Sequence, residues 1–287
     1  MSFAPPPPPR STVREIVARA LAEDIGRGDV TSEACIEPTL AYRAELRARE
    51  RLVFSGGPVL AEVFAQVDPQ VRVELHAEEG AWVEPKASVA TLRGSARSLL
   101  LGERVALNLL QRMCGVATLT RRHVEALPEG SRTRIADTRK TTPGLRALER
   151  YAVRCGGGFN HREDLSSAVL IKDNHVAAAG GVAAAIQRAR AYAPHTSRIE
   201  CEVDTEAQLR EAVEAGAEIV LLDNFQDDAV ARAVEAFHGK VVLEVSGGVT
   251  LERIPRLATM GVDVISVGAL THSARAADLG LDFEVES

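Results

Sequence analysis

From Arg134 onward the chain alternates two textures. Short, nearly continuous apolar runs (RIADT, AVLIK, RIECEV, EIVLLD, KVVLEVS and DVISVG) start near residues 134, 168, 198, 218, 240 and 263. Between them lie longer stretches with helical periodicity. Most of the intervals are about 20 to 35 residues, the rhythm of βα units. Runs apolar on both faces suit a parallel sheet covered on each side, closed as a barrel or left open and doubly wound. The ends of the runs favour the barrel. They carry Asp137 with Arg139 and Lys140, then Lys172, Glu202, Asp223, Ser246 and Gly268. Parallel strands bring all these ends to one rim, where barrel enzymes place their sites.

The first third reads differently. Pro5–Pro9 lie in an extended, disordered polyproline-type tail spanning residues 1–10. Thr12 and Glu15 have capping-box spacing, predicting a helix from Thr12 to about Glu23. Residues 24–32 (DIGRGDVTS) read as a turn-rich loop. Residues 42–54 and the alternating VRVELHA of 71–77 are strand-like, and 78–94 holds short β runs broken by Gly80, Pro85 and Gly94. Helical periodicity then runs from Ala96 to about Leu127, with Gly115 as the expected kink. This is an α+β unit.

Length and composition describe a globular protein: 287 residues, 46% hydrophobic, 26% charged, net charge −6. An acidic chain lacks the basic footprint of general nucleic-acid binding. Between Arg134 and His175, however, eight Lys or Arg stand against five acids, a local +3 that leaves −9 for the rest. Such a cationic zone suits a small anionic ligand, although a solvated helix face would give the same count. Cys35, Cys114, Cys155 and Cys201 form no Cys-x-x-Cys pair, so free thiols in a reducing cytoplasm are expected. Pro5–Pro9 is followed by no apolar core of the signal-peptide kind. The longest weakly polar run, Val176–Ile186, is too short to span a bilayer.

The rim residues have definite chemistry. EVSGGVT (244–250) and SVGALTHS (266–273) are glycine loops after consecutive strands, each leading towards a helix, and such loops cradle phosphate on backbone N–H groups. Glycine is also an ordinary turn residue, but two such loops in sequence point to a monophosphate. Glu202 and Asp223 end neighbouring strands. As a pair they can hold Mg²⁺ and sugar hydroxyls or stabilise a developing cation; singly, Asp223 could cap a helix and Glu202 could be a salt-bridge partner. Lys172 suits either a Schiff-base nucleophile or a fixed positive contact. Arg139, Lys140, His161 and Arg162 add charge a Schiff base does not need, and Arg forks grip carboxylates bidentately. His161 has a purely structural alternative. Arg146, Arg150 and Arg154 read as the solvated face of a helix.

Taken in order, DTRKTTPGLR, YAVRCGGGFNHR, LIKDNH, LLDNF, EVSGG and VGALTHS resemble the quinolinate phosphoribosyltransferase family. ALAEDIGRGDVTS and ERVALNLLQRMCGVAT extend that resemblance over nearly the whole chain after the tail. It implies an N-terminal α/β sandwich (11–115, rejoined by 275–287) and an incomplete (β/α) barrel (116–274). The implied reaction joins quinolinate to 5-phosphoribosyl 1-diphosphate, giving nicotinate mononucleotide, diphosphate and CO₂ with Mg²⁺, in de novo NAD synthesis. By the same resemblance Arg139, His161, Arg162 and Lys172 line the quinolinate pocket, Lys140 reaches the phosphates, and Thr138 is a further substrate-binding residue. Glu202 and Asp223 hold ribose and metal. Ser246, Gly247, Gly248, Val267, Gly268 and Ala269 hold the 5-phosphate. Lys140, Lys172, Glu202 and Asp223 are the implied catalytic residues. Arg104 is the arginine a homodimer lends to its partner's site, in a dimer or an assembly of two or three dimers. The chain departs from the family where x-Gly-Leu-x-Asp is usual after NHR: Asp164 replaces the glycine, where it is expected to tolerate a positive φ, and Ser167 replaces the acid. Three rivals remain: a phosphoribosyltransferase-like protein of molybdate-transport clusters, a Lys172 Schiff-base lyase, and a non-catalytic anion-binding barrel.

Overall fold

The computed structural model describes residues 5–285; residues 1–4 of the proline tail and residues 286–287 lie outside the described residues. The first elements in chain order are α1 (Arg10–Ile25), α2 (Val30–Cys35), β1 (Ala41–Ala48), β2 (Leu52–Val53), α3 (Gly57–Val67), β3 (Arg72–Leu75), β4 (Trp82–Val83), β5 (Ser88–Ser95) and α4 (Ala96–Glu125). The βα series follows as β6 (Arg134–Ala136), α5 (Arg146–Cys155), β7 (Val169–Ile171), α6 (Asp173–Ala179), α7 (Val182–Tyr192), β8 (Ile199–Val203), α8 (Glu206–Glu214) and β9 (Ile219–Asp223). It ends with α9 (Asp227–Phe237), β10 (Val242–Ser246), α10 (Ile254–Met260), β11 (Val264–Ser266), α11 (Ala269–His272) and β12 (Leu279–Val285). These elements form two compact units. One comprises residues 1–121, 141–157 and 269–287, the other 122–140 and 158–268.

The first unit is built on an antiparallel sheet in the order β12-β1-β5-β3. β12 lies along the whole of β1, from Tyr42↔Val285 to Ala48↔Leu279. Leu46, Phe54, Leu60, Phe64, Leu92, Leu99 and Leu110 are fully buried and form its core. Three local expectations change here. Helix α1 starts at Arg10, and Pro9, at φ −51° and ψ 135°, leads in without a side-chain cap; Thr12 sits inside the helix. The loop expected at 24–32 already contains the start of α2, because the Asp29 carboxylate accepts the N–H groups of Thr31 and Ser32. Helix α4 passes Gly115 unbroken over 30 residues. That glycine instead admits the backbone of Arg275, whose carbonyl oxygen would lie 2.0 Å from any Cβ placed there.

Arg146, Arg150 and Arg154 are half-buried rather than solvated. Helix α5 buries Leu148, Glu149, Tyr151, Ala152, Val153 and Cys155, so little of its circumference faces water.

The second unit holds the six expected strands in one parallel sheet, ordered β6-β11-β10-β9-β8-β7. Every strand pairs with its neighbour in a cycle running β6 through β11 and back to β6, except β6 with β7. This is barrel order with one seam unpaired; a doubly wound sheet would reverse direction midway. Segment 158–161 lies beside β6 in the seam. The Phe159 N–H donates to Ile135 O at 2.8 Å, and the Asp137 N–H donates to Phe159 O at 3.0 Å.

Candidate active site

The alternation of the strands decides what enters the barrel mouth. Leu170 and Lys172, Glu202, Leu221 and Asp223, Glu244 and Ser246, and Ser266 share one parity. All of them line a cavity of about 540 Å³, with Thr138, Arg139, Lys140, His161, Arg162, Leu165 and His175. Leu165, Leu170 and Leu221 give this cavity an apolar portion alongside its cations. Gly247, Gly248, Val267 and Gly268 lie in the loops just beyond β10 and β11. Arg104 is exposed on α4, and it and Ala269 belong to the first unit.

Asp137 anchors the cationic side. It is fully buried, and its carboxylate accepts the His161 N–H and the Asn160 side-chain N–H, each at 2.7 Å. This ties the seam segment to the end of β6 and carries His161 and Arg162 into the cavity. The Arg162 guanidinium donates to Ala168 O at 3.2 Å. Burial, and then the like charge of Arg139 beside it, lower the Arg162 pKa against the pull of Glu200. The group stays charged.

Both ring nitrogens of His161 face protein groups. Nδ1 accepts the Arg162 N–H at 2.7 Å, and Nε2 lies 3.2 Å from Glu200 and 3.6 Å from Glu244. Burial alone would lower the His161 pKa, but the Glu200 hydrogen bond and the nearby carboxylates raise it. Glu244 is pushed up to about 7, chiefly by burial and then by the charge of Glu200. Sequence reasoning missed Glu200 and Glu244. The available signal was their parity: each stands two residues before a rim residue, in ECE and EVS, and so points into the barrel.

Lys172 Nζ donates to Glu202 at 2.5 Å. The Asp223 carboxylate accepts one hydrogen bond among the described residues, from Asn224 Nδ2 at 2.8 Å. Arg253, also unforeseen, brackets two loops. Its guanidinium donates to Asp227 at 2.8 Å, to Gly247 O at 3.2 Å, and to Phe225 O. The glycine loop does not open directly onto a helix, as α10 begins only at Ile254. Gly247 and Gly248 turn the chain with φ of +83° and +59°. Asp164 does not take a positive φ. Its carboxylate accepts the Ser166 N–H and hydroxyl at 2.8 Å, while Ser167 Oγ accepts the N–H groups of Glu163 and Asp164. This side-chain network shapes the turn with φ on the ordinary side.

Four thiols are free, with Cys114, Cys155 and Cys201 buried and Cys35 exposed. No helix among the described residues is long and apolar enough to cross a membrane.

An unsealed parallel barrel with cations and paired acids on one rim, joined in one chain to an antiparallel α/β unit, defines a two-domain anion-handling enzyme. Residues 29–114 match the model of the quinolinate phosphoribosyl transferase N-terminal domain, and residues 116–282 match that of its C-terminal domain. The chain belongs to the quinolinate phosphoribosyl transferase family. It is 43% identical over 270 residues to the probable nicotinate-nucleotide pyrophosphorylase [carboxylating] of Bacillus subtilis, covering 94% of this chain and 93% of that one. The carboxylating enzyme of Mycobacterium leprae is also 43% identical, with coverage of 94% and 96%. Among solved structures, NadC from Streptococcus pyogenes superposes with TM-score 0.93 at 38% identity, covering 97% of this chain and 99% of that one. The nicotinate-nucleotide pyrophosphorylase of Francisella tularensis gives 0.92 at 39%, covering 96% and 97%.

Proposed function

We infer that the protein transfers the phosphoribosyl group of 5-phosphoribosyl 1-diphosphate to quinolinate, releasing diphosphate and CO₂ and leaving nicotinate mononucleotide. One observation carries the assignment of roles. Arg139, Arg162 and Lys172 line one cavity together with Leu165, Leu170 and Leu221 and with the acids Glu202 and Asp223. A planar dianion fits the cations and leucines, and a carbon becoming cationic fits the acids.

Arg139, Arg162 and Lys172 receive the two carboxylates of the diacid, with His161 beside them in the same cavity lining. Lys140 and the Gly247–Gly248 and Val267–Ala269 loops take the phosphates. Held in line, the ring nitrogen attacks the anomeric carbon as its bond to diphosphate breaks, and Glu202 and Asp223 face the oxocarbenium-like transition state. The quaternised ring then accepts the electron pair of the C2–carboxylate bond as CO₂ leaves, and that carbon takes a proton. The oxygen ligands of Glu202 and Asp223 are the hard donors Mg²⁺ prefers, and the metal would offset diphosphate charge. Arg104, exposed on α4, suits a homodimer in which each subunit completes its partner's pocket. We place the reaction in the cytoplasm.

Lys172 is half-exposed and ion-paired, not the desolvated amine a Schiff-base lyase requires. The 43% identity to carboxylating pyrophosphorylases over 94% of the chain favours this reading over the transport-cluster relative. The test is release of labelled CO₂ from carboxyl-labelled quinolinate. Release should match nicotinate mononucleotide formed and depend on phosphoribosyl diphosphate and Mg²⁺. No release with both substrates present would overturn the reading.

A further inference from the structure

The end of β9 contains a backbone conformation that ordinary residues avoid. Asn224 has φ +56°, and Lys86 is the only other non-glycine residue with positive φ among the described residues. Strain of this kind persists where the surroundings enforce it and clusters at functional sites. Three contacts hold Asn224 in place. Its N–H donates to Ser246 O at 2.9 Å, joining the tips of β9 and β10. Its side-chain Nδ2 donates to Asp223 Oδ2 at 2.8 Å. Its Oδ1 lies so close to Gly247 that a Cβ there would be 2.1 Å away, with Cγ at 2.7 Å. The amide orientation follows from chemistry, since an ionised carboxylate only accepts.

We propose that Asn224 is a positioning residue that aims Asp223 without neutralising it, and that the Asn224 amide, by occupying the side-chain space of Gly247, confines that position to glycine beyond what its φ of +83° already does. The two acids of the site are thereby made unequal. Glu202 shares its charge with Lys172, whereas Asp223 is oriented by a neutral amide and keeps its charge whole. Asp223 is therefore the acid that meets incoming positive charge, on the metal or on the ribose. The left-handed backbone serves this arrangement by turning the amide back onto the preceding residue and lowering its oxygen onto the glycine loop.

The inference rests on the site assignment above, and the experiment separates the two. The full-length enzyme is compared with Asn224→Gly, which keeps the left-handed backbone and deletes only the amide. We expect the KM for phosphoribosyl diphosphate and the Mg²⁺ concentration for half-maximal rate to rise about tenfold or more, the change for losing one hydrogen bond to a charged group. Calorimetric affinity for phosphoribosyl diphosphate should fall in parallel, while affinity for quinolinate alone stays that of the parent. Gly247→Ala should lose phosphoribosyl diphosphate binding, and Asn224→Gly/Gly247→Ala should recover part of it. Parental constants in Asn224→Gly would overturn the proposal. So would equal loss for both substrates with a lowered melting temperature, or a double variant no better than Gly247→Ala. Failure of the underlying function would instead appear in the parent, as absent CO₂ release.

Discussion

One buried carboxylate of the first unit and a buried pair of the second show how similar side chains can serve opposite ends. In the first unit Glu149 has no exposed surface, and its oxygens are fully engaged. Arg112 holds one through Nε at 2.9 Å and Nη2 at 2.8 Å, and the Thr142 N–H donates to the other at 3.0 Å. In the barrel, Glu200 and Glu244 share a single imidazole, and Glu244 Oε1 makes no hydrogen bond among the described residues. A satisfied buried ion pair fixes structure, and breaking it is costly. An under-satisfied set beside a ligand cavity trades stability for chemistry.

The largest expected effect lies above the barrel floor. Lys172→Ala and Arg139→Ala should each lower kcat/KM by about 10²-fold or more while the melting temperature stays near the parent's. Loss of folding together with activity would erase the distinction between the two regions. Arg112→Ala should do the reverse, destabilising the protein by about 3–5 kcal/mol as it strands Glu149, with the folded fraction keeping its kcat. Denaturant unfolding and active-site titration check both halves.

A smaller effect sharpens the contrast. Glu244 and His161 both hold protons more tightly folded than unfolded. Their contribution is therefore complete below the unfolded pKa values and is lost as pH rises through the folded ones. The melting temperature should fall as pH rises through about 7, and Glu244→Gln should flatten that slope to the part due to His161. An unchanged slope in the variant would place the proton elsewhere. Least of all, Ser167→Ala should cost about 1 kcal/mol or less and speed amide exchange at Glu163 and Asp164.

Much of the barrel is legible in the sequence because parallel strands buried on both faces read as apolar runs. Their polar last residues mark the rim without any knowledge of the helices between them. What sits below the rim is harder to see. Glu200 and Glu244 are acids inside those runs, and only the parity of the strand tells that they point inward together. Asp137 is conspicuous as a strand end, yet its work is done on backbone atoms 24 residues later. Gly115 misleads in the opposite way: local propensity makes it a helix breaker, but a distant carbonyl needs its missing side chain. At Asp164 the glycine it replaces suggests a positive φ, but its neighbours Ser166 and Ser167 set its conformation.

The strand orders also bear on when the molecule can fold. β6 pairs across its edge with β11, with Val264 opposite Arg134, and β1 waits for β12, with Val285 opposite Tyr42. As the chain leaves the ribosome, neither unit gains its full set of partners until residues 264–285 have been made. Both sheets thus gain a partner for an early strand only from residues far along the chain, a high-contact-order arrangement that delays pairing and leaves two strand edges to be shielded in the meantime.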